Sequence, residues 1–110
     1  MARVMVIAAY RPKPGKDAAL LEIVRDHVAT LRRAGLATDR PAVLMRASDA
    51  TLLEVFEWAR EDASSEAHTT PEVARIWEAM MEIAEFPAPA GVAGMDGRFP
   101  HFEPVDGVVS

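Results

Sequence analysis

The stretch RVMVIAAY, residues 3–10, is apolar along both faces that a strand would present. An apolar residue at nearly every position is typical of a strand that is covered on both sides. The next five residues, RPKPG, end this strand because two prolines and a glycine cannot continue its hydrogen-bond ladder. The two faces carry Val4, Val6, Ala8 and Tyr10 on one side, and Met5, Ile7 and Ala9 on the other.

The apolar period changes to that of a helix from Asp17 to about Ala34. His27 falls within the apolar stripe of this helix, so it is predicted to face the sheet. Gly35 is a plausible stop because glycine favours the backbone conformation that ends helices. The stripe consists of Leu20, Leu21, Ile23, Val24, His27, Val28 and Leu31.

Two short strand-like runs follow at residues 41–47 and 51–59, and the short polar gap between them predicts a hairpin. Residues 60–68 suggest a short helix or helical turn. A further helix is predicted to begin near Pro71, because Thr70 is a suitable N-cap and proline is favoured in the first turn. One face of the second run carries Leu52, Glu54, Phe56 and Trp58.

The composition shifts after Phe86, where residues 87–98 are rich in proline and glycine and predict a loop or flexible arm. Residues 99–106 are suited to extended structure, but their two prolines restrict them to an edge strand or an arm. We therefore divide the chain into a domain at 1–86 and an arm or edge strand at 87–110. The arm is open to three courses: a fourth strand, a lid, or a crossing to a partner.

The order strand, helix, strand, strand, helix and possible last strand predicts an α+β fold, a ferredoxin-like split βαβ subunit with an antiparallel sheet. Helices would cover one face of this sheet and leave the other bare. The first strand is nevertheless apolar on both faces, and a single chain cannot cover both. A second copy is therefore expected to cover the bare face, as a homodimer.

Composition excludes several classes of function. The formal charge of −5 argues against nucleic acid or an anionic membrane as the main partner, because both require a basic face. The absence of cysteine excludes disulfide scaffolds, thiolate metal sites and cysteine nucleophiles. The apolar run in the first strand is too short for a signal peptide or a membrane span, so a cytoplasmic location is expected by default. No histidine pair at helical metal-ligand spacing, phosphate loop or GxSxG motif is present, and no metal is predicted.

Three stretches resemble the antibiotic biosynthesis monooxygenase family, within the dimeric α+β barrel superfamily. They are RPKPGKDAALLEIV after the first strand, LLEVFEWAREDASSEAH, and TTPEVARIWEAM, and the resemblance covers roughly residues 3–84. It implies that two ferredoxin-like chains pack sheet against sheet as a barrel. It also implies a pocket in each subunit, between the sheet and the helices.

The resemblance implies a cofactor-independent monooxygenase acting on small aromatic or quinol-like substrates. In such chemistry the deprotonated substrate itself reduces dioxygen, so neither metal nor flavin is needed, and the protein binds, orients and accepts a proton. Other members of the family have no known activity. The alternative is therefore a non-catalytic homodimer of the same fold, which binds a small ligand or is purely structural.

His68 matches the histidine that the family commonly carries between the two helical segments, and it is the predicted catalytic proton acceptor. Its alternative role is to cap or pack at the helix junction. Arg46 is predicted to pair with Glu54 across the hairpin or to reach an anionic ligand. The remaining predicted substrate-binding residues have an alternative role as core residues, and they are Tyr10, His27, Trp58 and Trp77.

Overall fold

The computed structural model describes residues 2–109. Its regular elements are five strands, three α-helices and one short 3-10 turn in the C-terminal part. In chain order they are β1 (Val4–Pro12), α1 (Asp17–Arg33), β2 (Val43–Arg46), β3 (Leu52–Trp58), α2 (Ala63–Ala67), α3 (Pro71–Ile83), β4 (Ala84–Glu85), the turn Pro89–Gly91, and β5 (Glu103–Pro104).

The strands form one antiparallel sheet in the order β4-β1-β3-β2-β5. The centre of the sheet is the pairing of β1 with β3, which places Ala8 opposite Glu54 and Tyr10 opposite Leu52. The predicted α+β fold with an antiparallel sheet is therefore confirmed. The predicted hairpin joins β2 to β3, in a register that places Leu44 opposite Glu54.

Helices α1 and α3 pack on one face of the sheet, where they enclose most of the core. The apolar stripe of α1 is buried as its spacing predicts, and the chain turns away at Gly35, whose φ is +76°. Helix α3 begins at Pro71 after the N-cap Thr70. The Thr70 hydroxyl does not cap this helix but donates to the carbonyl oxygen of Glu66, 3.0 Å away, and so it braces the junction with α2. In the described part of the chain, no helix is long and apolar enough to cross a bilayer.

The opposite face of the sheet is only partly covered. The C-terminal segment covers the part of this face around Ala9 and Leu53, against which Val92 is buried. Two residues further along, three apolar residues lie side by side on neighbouring strands, because Val55 is paired with Ile7 on one side and with Val43 on the other. In this row Ile7 is 50% exposed and Val43 is 51% exposed. An apolar strip therefore remains on this face of the single chain.

The C-terminal segment wraps around the edge of the sheet. After it covers the open face, it forms β5 beside β2 and then reaches the helix side, where the guanidinium of Arg25 donates to the carbonyl oxygen of Asp106 at 3.0 Å. The segment was predicted to form a strand, a lid or a crossing to a partner, and in the structure it contributes the short strand β5. The strand is the outermost one beside β2, whereas the fourth strand in chain order is Ala84–Glu85, which pairs with β1.

Candidate functional site

A cavity of about 270 Å³ lies between the sheet and helix α3. Strands β1 and β3 form its floor, and α3 with the segment after it forms its other wall. Met81 and Phe86 are at least half exposed and mark its mouth. The nine lining residues are Val6, Ala8, Tyr10, Phe56, Trp58, Trp77, Met80, Met81 and Phe86.

The local sequence explains why space remains here. Alternate residues of β1 point toward the helices, and two of them, Val6 and Ala8, are small. On α3, Trp77 and the two methionines that follow at helical spacing reach toward the same place. The large side chains of α3 are thus held above small side chains of the sheet, and a gap remains between them.

Aromatic rings form most of the wall and support one another edge to face. The rings of Phe56 and Trp58 have centroids 5.0 Å apart at an interplanar angle of 72°. Tyr10 and Phe86 are 5.9 Å apart at 82°. Such pairs hold ring orientation as well as bury area. The cavity therefore offers aromatic faces and edges to a ligand, together with the adaptable side chains of two methionines.

A chain of three hydrogen bonds, two of them buried, borders this cavity. The Tyr10 hydroxyl lies 2.8 Å from Oε1 of Glu54, and Nδ1 of His27 lies 2.8 Å from the same oxygen. The indole nitrogen of Trp77 lies 2.9 Å from Nε2 of His27. Two of the four residues, Tyr10 and Trp77, also line the cavity. These hydrogen bonds thus connect Tyr10 on one wall of the cavity to Trp77 on the other.

The direction of each bond in this chain follows from the chemistry of its groups. An indole N–H only donates, so Nε2 of His27 accepts from Trp77. A neutral imidazole then carries its proton on Nδ1, which donates to Glu54. The Tyr10 hydroxyl donates to the same oxygen of Glu54. Glu54 Oε1 therefore accepts two hydrogen bonds, both from neutral groups.

Glu54 is a buried acid without a cationic partner. Its side chain is 1% exposed, and no lysine or arginine within residues 2–109 forms an ion pair with it. Burial of the phenol, followed by the negative charge and the hydrogen bond of Glu54, raises the pKa of Tyr10 well above its ordinary value of 10.0. Tyr10 is therefore a neutral hydroxyl across the physiological range, and its proton is directed toward Glu54.

His68 does not line the cavity between the sheet and α3. It is exposed, and its ring packs edge-on against Trp77 with centroids 4.8 Å apart. It borders a separate surface cleft of about 210 Å³ together with Ala74, Trp77, Glu78 and Met81. Trp77 and Met81 line both spaces, so the cleft at His68 and the cavity are neighbours.

The remaining predicted site residues divide between the cavity and its surroundings. Tyr10, Trp58 and Trp77 line the cavity, whereas His27 is 2% exposed and lies behind Trp77. The predicted pairing of Arg46 with Glu54 is wrong. Arg46 sits opposite Leu52 at the β2 edge and pairs instead with Glu103 of β5, at 3.2 Å.

Several residues of this region were not among the predicted site residues. Glu54 gave a signal in the sequence, because it interrupts the apolar face of a strand between Leu52 and Phe56. A charged residue at such a position is rarely fully buried unless it has specific partners. Phe56, Met80 and Phe86 gave no comparable signal, since apolar residues at these spacings are ordinary core residues.

The described residues hold no group of three or more His, Asp or Glu side chains that would bind a metal ion. The chemistry of the region is thus that of an apolar aromatic cavity backed by one buried carboxylate. Comparison of the chain with protein-family models, with curated proteins and with solved structures gives no match.

Proposed function

We propose that the cavity binds a small aromatic phenol or quinol and that the chain oxidises it with dioxygen, as a cofactor-independent monooxygenase-like protein. The observation that carries the proposal is the aromatic wall of a cavity of about 270 Å³. This volume is near the lower limit of about 300 Å³ for small-molecule sites. It suits a flat ligand of one or two rings, whose faces would rest against Trp58 and Trp77.

The proposed reaction converts a phenol to a quinone. The ligand first loses its hydroxyl proton, and the electron-rich anion transfers electrons to dioxygen. One oxygen atom becomes the new carbonyl, and the other leaves as water with the two hydrogens that the ligand loses. The ligand supplies all the electrons, so the protein binds and orients the ligand and moves the proton.

His68 is the proposed proton acceptor on the outer side of the site. It borders the cleft that shares Trp77 and Met81 with the cavity. A ligand that extends past the edge of Trp77 would bring its hydroxyl to this exposed imidazole. A neutral imidazole has a ring nitrogen whose lone pair accepts a proton, which suits general base catalysis.

We further propose that the chain is a ferredoxin-like subunit that pairs with a second copy as a dimeric α+β barrel. The strand order and the antiparallel pairing of β1 with β3 are compatible with this arrangement. The exposed apolar strip of the open face supports the pairing, because Met5, Ile7 and Val43 are each at least 50% exposed there. A second sheet packed against this strip would remove it from water.

One observation favours a second function, binding of a small ligand without catalysis. The polar groups beneath the cavity are bonded to one another, so that Tyr10, Glu54, His27 and Trp77 form a closed set. Such a set would support the walls of a binding pocket without taking part in a reaction.

Oxygen uptake by metal-stripped protein with 1-naphthol and related phenols tests the proposed oxidation. His68→Ala is the test variant, and His101→Ala is its control, since both histidines are exposed and His101 lies in the C-terminal segment. The proposal expects uptake that survives chelation, yields one quinone per dioxygen, and falls at least about tenfold only in His68→Ala. Tight binding of the phenols without any uptake would instead establish the binding function.

A further inference from the structure

Tyr10 is the only one of the nine lining side chains that carries an oxygen atom. It is 5% exposed, and its hydroxyl is 2.8 Å from Glu54. A hydroxyl group has one proton to donate and two lone pairs that accept. Because its proton is directed to the carboxylate, the lone pairs are what the Tyr10 oxygen has left to offer a ligand.

Glu54 is itself held in place from the other side. Nδ1 of His27 donates to the oxygen that Tyr10 also contacts, and Trp77 in turn fixes the orientation of the His27 ring. Hydrogen bonds to a charged group are stronger than those between neutral groups. A Tyr10 hydroxyl that rotated to donate to a ligand would give up such a bond and leave a buried charge with one fewer partner, at a cost the ligand would have to offset.

We infer that Tyr10 selects ligands that carry a hydrogen-bond donor, and that Glu54 imposes this selection because it accepts the hydrogen bond of the Tyr10 hydroxyl. The inference rests on the proposed function and names the chemistry of its ligand. A phenol or quinol hydroxyl donates to the Tyr10 oxygen. A methyl ether or a quinone has only acceptor oxygens at the equivalent place and leaves that oxygen unpaired.

The selection applies at one end of the cavity. Trp58 also has a donor, its indole N–H, but it lies at the other end of β3. Tyr10 is opposite Leu52, and from Leu52 to Trp58 the strand extends roughly 20 Å at about 3.4 Å per residue. The N–H of Trp77 is already bonded to His27. For the proposed oxidation, this contact belongs to the neutral phenol as it binds. The hydroxyl must leave Tyr10 to give its proton to His68, and the quinone product has no donor with which to restore the contact.

The test measures the affinities of 1-naphthol, 1-methoxynaphthalene and 1,4-naphthoquinone through the emission of the two tryptophans, both of which line the cavity. The wild-type chain is expected to bind 1-naphthol at least about tenfold more tightly than the methyl ether, which corresponds to one well-made hydrogen bond. In Tyr10→Phe this preference falls toward one, although the ring and its packing are retained.

Glu54→Met tests the role of Glu54 as a positioning residue, because methionine has a similar length and no strong acceptor. Without this acceptor the Tyr10 hydroxyl is free to donate to a ligand, which is expected to strengthen binding of 1,4-naphthoquinone relative to 1-naphthol. A purely structural effect would weaken the ligands equally and leave their ratio unchanged, which would overturn the role of Glu54. Tyr10→Phe keeps the inference testable if Glu54→Met does not fold.

The outcomes separate the inference from the proposed function. If the wild-type chain binds naphthol and its methyl ether with affinities within about twofold, the inference is overturned and the binding site stands. The same conclusion follows if Tyr10→Phe keeps the full preference. If none of the aromatic compounds perturbs the tryptophan emission, the inference and the proposed function are both overturned.

Discussion

Trp77 donates its indole N–H to Nε2 of His27 across 2.9 Å, which joins the wall of the cavity to the buried core beneath it. The two residues are 50 positions apart in the chain and belong to different helices. The bond therefore depends on the packing of α3 against α1. It also determines that Nδ1 of His27 carries the proton that is donated to Glu54.

Trp77→Phe is expected to lower the free energy of unfolding by about 1–3 kcal/mol beyond the loss of ring area, because Nε2 of His27 is left buried without its donor. Trp58→Phe is the matched control, since it removes a similar ring area from the same cavity and leaves the hydrogen-bond chain intact. Urea unfolding of both variants measures the difference. Equal losses in the two variants would contradict the structural role of the bond.

Tyr10 is the only tyrosine in the chain, so the absorbance of tyrosinate reports its ionisation directly. Its pKa is raised above the ordinary value of 10.0, chiefly by burial and then by Glu54. The folded chain is therefore expected to show no tyrosinate at a pH where the urea-unfolded chain is half ionised. Parallel titrations of the two states would refute the buried, Glu54-bound position of Tyr10.

The same raised pKa predicts how stability depends on alkaline pH. The stability that Tyr10 contributes is fully present below its unfolded pKa of about 10 and is lost as the pH rises through the higher folded value. Wild-type protein should thus lose stability more steeply than Tyr10→Phe above about pH 10. Urea midpoints of both chains across this interval provide the comparison, and identical slopes would argue against the prediction.

The open face of the sheet gives a prediction for the oligomeric state. Ile7→Glu places a charge in the exposed apolar strip and is expected to convert a dimer to a monomer, because the charge would be buried without a partner. Val109→Glu is the control, since Val109 is also exposed but bonds through its backbone N–H to Arg25 on the helix side. Light scattering after size exclusion measures the mass. A wild-type monomer at micromolar concentration would contradict the proposed pairing.

Much of the fold was predictable from the sequence, because a short uninterrupted apolar run and an apolar period of 3.6 are different patterns. The run RVMVIAAY and the stripe of α1 predict the first strand and the helix that follows it, and the structure has both. The C-terminal segment was less predictable. Its short β5 depends on contacts with β2 that lie far away in the chain, and its own sequence carries only a weak strand pattern.

The candidate site was predictable only in part, for the same reason. Tyr10, Trp58 and Trp77 were predicted as possible pocket residues and line the cavity. The partners of Glu54 depend on strand register and on the packing of α1, neither of which a single sequence reveals. Tyr10 and Arg46 both lie opposite Leu52, on either side of β3, so the register alone does not choose between them as the partner of Glu54. Tyr10 is buried and bonds Glu54, whereas Arg46 pairs with Glu103 of β5.

The most direct test of the account is a titration of 1-naphthol, followed by tryptophan emission, in wild-type protein and in Ala8→Leu. Ala8 lines the cavity, and a leucine there would fill part of its volume. Ala18→Leu, on the exposed face of α1, is the control for the substitution itself. Saturable binding is expected in the wild-type and control chains, and its loss is expected in Ala8→Leu with folding preserved. Saturable binding of equal strength in all three chains would place the ligand elsewhere and contradict the account.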